Sequence, residues 1–152
     1  MSIPLSELEA HEGADIGVSD WYPLTQDHVN RFADATRDHQ WIHVDPERAA
    51  AGPFGGPIAH GMLTLSLLPA MVTDTFTVDG ADMVINKGFD KVRLGKPVPV
   101  GSRVRGAMKL TGVRPRPKGY TEVTVGVSVE VEGAKGAVLT ADMIFLYHAE
   151  AA

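Results

Sequence analysis

Residues 58–72 constrain the fold most. Met62, Leu63, Leu65, Leu67, Leu68, Met71 and Val72 are spread almost all round a helical wheel. A helix that is apolar on every side is expected to be buried on every side. Pro69 lies within it and should kink or end it, because proline supplies no N–H to the ladder. After Gly80 the pattern switches to strands. Residues 83–94 form one candidate. Residues 102–113 alternate, with Val104, Met108 and Leu110 on one face and Arg103, Arg105 and Lys109 on the other. In 120–132, Val123, Val125, Val127, Val129 and Val131 alternate with Thr124, Gly126, Ser128, Glu130 and Glu132. Residues 137–147 close the series. An alternating strand has one wet face and one packed face. One apolar helix followed by about four consecutive antiparallel strands predicts an α+β chain in which a curved sheet wraps a single long buried helix. No helices separate the later strands, which argues against a doubly wound parallel sheet.

Ahead of that helix the signals are shorter. Residues 16–24 are rich in strand formers and read as a short strand. Thr25 can cap a helix that carries Val29, Phe32 and Ala33 on one face and ends near Thr36. Residues 37–46 show neither period and read as an ordered loop. Asp45 followed by Pro46 opens a short helix through Ala51, which the glycines and prolines of 52–57 must stop. Residues 114–119 read as a turn. No repeat or linker divides the chain, so 1–152 is expected to be one domain, the usual size for a chain of 152 residues.

Composition narrows the chemistry. There is no cysteine, which excludes disulfides, thiolate metal sites and a cysteine nucleophile and suits a cytoplasmic setting. No basic, apolar leader opens the chain. No apolar run reaches the roughly 20 residues of a membrane helix, so no membrane partner is expected. The net charge of −5 argues against nucleic acid. A cationic strip nevertheless holds Lys87, Lys91, Arg93, Lys96, Arg103 and Arg105 against one acid, Asp90. It reads either as a solvated strand face or as contacts to a small polyphosphate, for which Lys91 and Arg93 are candidates.

The densest polar group is Asp38-His39-Gln40-Trp41-Ile42-His43. A carboxylate and an imidazole five positions apart on irregular backbone can converge on one water molecule, and histidine exchanges protons near neutral pH. The plainer alternative is a turn cap with a structural histidine. A metal held by Asp38, His39 and His43 is a third reading, but no tight ligand pair such as His-Glu-x-x-His supports it, and no metal is expected. Gly55-Gly56-Pro57-Ile58-Ala59-His60-Gly61-Met62 opens the apolar helix. Unpaired N–H groups there can hold an oxygen that becomes negative, or the glycines can serve close packing alone. His60 fits either a structural or a ligand-binding role.

Asp38-His39-Gln40-Trp41-Ile42-His43-Val44-Asp45, followed by Ile58-Ala59-His60-Gly61-Met62-Leu63, resembles the signature of the MaoC-like dehydratases. These include the (R)-specific enoyl-CoA hydratases and nodulation-protein-N-like members. Residues 86–93 and 97–101 look like the family's later strands, and the resemblance runs from about residue 17 to 147. It implies a hotdog fold and reversible hydration of trans-2-enoyl-CoA to 3-hydroxyacyl-CoA. Asp38 and His43 would be the catalytic pair, Gly61 would supply the oxyanion N–H, and Gln40 would stand where many members have Asn. Trp41 departs from the proline of better-known hydratases. The resemblance also implies a homodimer and an acyl-CoA or acyl carrier protein thioester as partner, with no cofactor beyond the coenzyme A of the substrate. Thioester hydrolysis on the same fold and a non-catalytic acyl-binding subunit are the competing readings.

Overall fold

The structure is a computed structural model describing residues 1–150. A two-stranded parallel ribbon joins β1 (Ser2–Pro4) to β4 (Thr77–Asp79), and a 3-10 helix follows β1 over Leu5–His11. The main sheet also contains β2 (Asp15–Val18), β3 (Tyr22–Pro23), β5 (Met83–Leu94), β6 (Arg103–Arg116), β7 (Tyr120–Val131) and β8 (Ala137–His148). Its order is β2-β6-β7-β8-β5, with β3 also on β6, and every pairing is antiparallel. The helices are α1 (Gln26–Thr36), α2 (Trp41–Val44), α3 (Pro46–Ala50), α4 (Gly61–Ser66) and α5 (Leu68–Thr75).

The expected layering holds. Leu63, Leu65, Leu68, Met71 and Val72 from α4 and α5 share one buried cluster with Val104, Met108 and Leu110 of β6. All five alternating valines of β7, and Leu139, Met143 and Phe145 of β8, belong to the same cluster. Each buried side chain of this size contributes on the order of 1.5–3 kcal/mol. Gly106 lets the helix approach closely, since a Cβ there would lie 3.2 Å from Met71 Sδ and 3.1 Å from Val127 Cγ1.

Several expectations need correction. The stretch 58–72 is two helices, not one. Leu67 breaks them, and Pro69 in the first turn of α5 has no N–H to extend the ladder. Its start is also later. Ile58 N–H donates to Ile42 O at 3.0 Å and Ala59 N–H to Val98 O at 2.8 Å, so these residues are tied to neighbours and the helix opens at Gly61. Nor is it buried all round, because Met62, Ser66, Ala70 and Thr73 form an open stripe. The loop 37–46 contains the helical turn α2. The strand at 16–24 is split into β2 and β3. The turn at 114–119 shrinks to 117–119, because β6 runs to Arg116 and left-handed Lys118 and Gly119 reverse the chain. The four late strands are antiparallel as expected, with β5 paired to β8 at the far edge and not to β6.

Candidate active site

Helix α1 ends because Arg37 adopts a left-handed conformation (φ 63°), which turns the chain outward into Asp38. The short α2 is then fastened from two sides. Gln26 of α1 donates from Nε2 to His43 O at 2.8 Å, and Ile58 N–H closes on Ile42 O. These ties place His43, 7% exposed, against the segment that leads into α4.

His43 Nδ1 lies 2.6 Å from Ile58 O, and His60 Nε2 lies 2.9 Å from Asp38 O. A carbonyl oxygen only accepts, so both nitrogens carry hydrogen. Neutral His43 therefore keeps a free lone pair on Nε2. His60 reaches both members of the pair. Its ring stacks on His43 with centroids 3.8 Å apart, and its Nε2 is 4.0 Å from Asp38 Oδ2. Phe32 covers another side of His60 at 4.9 Å. One potential ligand atom from each of Asp38, His43 and His60 lies within 4.8 Å of the others. The donor set fits a metal poorly, because imidazole lone pairs lie in the ring planes and these planes are only 23° from parallel. The arrangement suits proton handling between a half-exposed carboxylate and a buried imidazole.

A cavity of about 180 Å³ opens beside His43. Its walls include Gly61 and Thr64 of α4, Leu94 of β5, Lys96, and Val138 and Leu139 of β8. Gly61 occupies the first helical position, where an N–H has no acceptor within the helix. A Cβ there would meet Leu94 Cδ1 at 2.6 Å, so any larger residue must displace the Leu94 side chain at the cavity wall.

The other sequence candidates fall elsewhere. Gln40 stands exposed at the start of α2 without a capping hydrogen bond from its side chain. His39 faces Asp34 at 2.8 Å on the surface. Trp41 carries the Arg48 guanidinium 4.4 Å above its ring. Lys91 and Arg93 border a separate depression with Lys109 and Asp142, while the neighbouring Leu94 faces the cavity. Most of the cationic strip is neutralised across strands. Lys91 pairs with Asp142 at 2.8 Å, Arg105 with Glu130 at 2.7 Å, Lys87 with Glu122 and Arg103 with Glu132. Lys96, which lines the cavity, has no ion pair among the described residues. Lys96 was read only as a member of the cationic strip, behind Lys91 and Arg93, and Gln26 and Thr64 were missed. Of those two, only Thr64, a polar residue inside an apolar helix, left a local signal.

A curved antiparallel sheet around a broken central helix is an α+β hotdog fold. The family model of the MaoC-like domain matches residues 7–132. The 3-hydroxyacyl-thioester dehydratase Z of Mycobacterium tuberculosis is 52% identical over 143 residues, covering 94% of this chain and 95% of that protein. Nodulation protein N of Rhizobium meliloti is 46% identical over 144 residues, covering 93% and 89%. Among solved structures, the unliganded R-hydratase PhaJ1 of Pseudomonas aeruginosa superposes with a TM-score of 0.77 at 24% identity, over 97% of this chain and 87% of that one. The chain belongs to the MaoC-like dehydratase family, whose members add or remove water.

Proposed function

We propose that this protein, as a single-domain homodimer in the cytoplasm, hydrates trans-2-enoyl-CoA thioesters reversibly to (R)-3-hydroxyacyl-CoA. The observation that carries this reading is the shared wall: His43, with Nδ1–H held on Ile58 O, and Gly61, at the opening of α4, line one cavity, and Asp38 lies beside His43. The name of the mycobacterial relative, a 3-hydroxyacyl-thioester dehydratase, supports the substrate class.

Water held between Asp38 and His43 gives up a proton to the pair, and its oxygen bonds to the β-carbon of the enoyl group. The C=C electrons move toward the thioester oxygen, where the Gly61 N–H stabilises the enolate. The proton then returns to the α-carbon, so that H and OH have added across the double bond. Either member of the pair can hold the proton in transit. No electron leaves or enters the substrate, so the reaction calls for no redox cofactor. A cavity of about 180 Å³ compares with the ~150 Å³ that encloses benzene, so it suits a short acyl group. Lys96 at the same wall is the better-placed cation for the carrier arm of coenzyme A or acyl carrier protein. Lys91 and Arg93 would serve a carrier only over the separate depression they border.

The homodimer draws on β5, an edge strand that exposes Met83, Val84, Ile85, Val92 and Leu94. Such an edge is a template for a second copy. The deciding assay follows the conjugated absorbance of crotonyl-CoA together with free thiol. Loss of absorbance without thiol is expected. Thiol release would establish a thioesterase, and no change in either signal would leave only a binding function.

A further inference from the structure

We infer that the Thr64 hydroxyl is a second hydrogen-bond donor to the substrate's thioester oxygen, acting beside the Gly61 N–H; this rests on the hydratase reading above. Among the described residues, the buried side-chain polar atoms without a hydrogen bond are His60 Nδ1 and Thr64 Oγ1. Thr64 is 2% exposed and lines the cavity that His43 and Gly61 also line.

The other hydroxyls in the α-helices behave differently. Thr36 donates to Phe32 O at 2.7 Å, Ser66 to Met62 O at 2.7 Å, Thr73 to Pro69 O at 3.0 Å and Thr75 to Met71 O at 2.8 Å. Each satisfies itself on the carbonyl four residues back. Thr64 does not. The corresponding carbonyl, His60 O, already accepts the N–H groups of Leu63 at 3.0 Å and Thr64 at 3.2 Å. A buried hydroxyl left without a partner is costly, and it is retained where a ligand completes it.

Direction supports the thioester oxygen as that partner. Side chains on a helix lean toward its N-terminus and cover the preceding turn. The preceding turn here begins at Gly61, which has no side chain to obstruct the approach. Thr64 and Gly61, three positions apart, share one face of α4. A hydroxyl and an amide N–H aimed at the same space can together hold an oxygen that gains charge, and apart from His43 and Lys96 the cavity is lined by apolar residues such as Ile58, Leu94, Val98 and Val138.

The test compares Thr64→Val, which keeps the shape and removes the hydroxyl, with Thr64→Ser, which keeps it. With crotonyl-CoA, T64V should lose kcat by about 10²-fold, the usual effect of deleting one such donor. KM should change little, and T64S should retain most of the wild-type rate. Thermal stability of T64V should equal or exceed that of wild type, because an unpaired buried hydroxyl has gone. A saturated butanoyl-CoA labelled at its carbonyl carbon gives an independent readout: its bound C=O stretch should shift less to low frequency in T64V than in wild type. An active wild type matched in kcat and carbonyl shift by T64V would overturn this inference alone. A wild type without hydratase activity would overturn the site reading and this inference together.

Discussion

His60 lies on His43 as a parallel ring and donates from Nε2 to the backbone oxygen of Asp38, so one buried side chain touches both members of the proposed dyad. These two roles can be separated by substitution. His60→Phe keeps an aromatic surface against His43 but leaves the Asp38 carbonyl without its donor. His60→Gln keeps a donor near the Nε2 position and loses the stack. Both should cost about 1–2 kcal/mol of stability. H60F should lose roughly tenfold in kcat through a displaced Asp38, and H60Q less. Thermal melts read alongside crotonyl-CoA kinetics check both halves. Equal activity in H60F and wild type would remove His60 from the site.

Asp38→Asn preserves shape and removes the charge. His43→Asn keeps an N–H near Nδ1, able to reach Ile58 O, while deleting the free Nε2. Each should reduce turnover by at least ~10²-fold with an unchanged circular-dichroism spectrum. Full activity in either variant would exclude the dyad.

Gly61 and Leu94 form a coupled pair. Gly61→Ala places a methyl group 2.6 Å from the present Leu94 Cδ1, and Leu94 is 52% exposed and able to move. The alanine should therefore be tolerated by the fold yet intrude on the cavity, lowering kcat/KM by roughly tenfold. Leu94→Ala makes room. If the clash is the cause, the double variant should recover much of the loss, and a kinetic double-mutant cycle would show coupling. Additive losses would place the effect of G61A elsewhere.

The sequence made some of this visible and hid the rest for physical reasons. The alternation of Val123 to Val131 is a local pattern, and each of these valines is in the core. Thr25 and Asp45 announce their helices by residue type, and both cap as expected, onto His28 N–H and Arg48 N–H. The pairing of β5 with β8 has no local signature, because it joins segments about 50 residues apart with bulges in register. The acids that neutralise the cationic strip lie on β7, β8 and the turn after β7, so the strip looked more basic than its surface is. The Asp38–His43 motif was legible, and its attachment to Gln26, Ile58 and His60 was not. Hydrogen bonds to backbone oxygens leave no mark on residue identity.

Glu122 is 8% exposed and bonded by Arg116 at 2.8 Å and by Lys87. These two cations hold its carboxyl at about 2, below the ordinary value of 4.5, with the Arg116 hydrogen bond the larger cause. A depressed folded value means that the stabilisation is complete above the unfolded value and drains away as pH falls toward about 2. Glu122→Gln should lower stability by roughly 1–2 kcal/mol at neutral pH, since both cations are partly solvated. Melting curves of the two proteins should converge between about pH 4.5 and 2. A difference that stays constant over that range would show that charge is not what Glu122 contributes.

The free edge of β5 supports the final prediction. One side of this twelve-residue strand is bonded to β8, and no strand pairs with the other among the described residues. Val84, Ile85 and Leu94 are 44%, 40% and 52% exposed, so apolar side chains border an open row of backbone donors and acceptors. Charge guards the middle of this edge through Lys87, Asp90, Lys91 and Arg93 and leaves its apolar ends open, and an unguarded stretch of edge pairs with whatever strand it meets. A second copy meeting β5 antiparallel would extend the sheet and cover those side chains with a closed two-fold contact. Ile85→Lys should place an unpaired charge within such a contact and shift the protein to monomer in sedimentation velocity. Leu94 borders the cavity, so the monomer should also lose crotonyl-CoA turnover even though Asp38, His43 and Gly61 are untouched. A wild-type protein that sediments as a monomer at micromolar concentration, with full activity, would leave the exposed edge without this explanation.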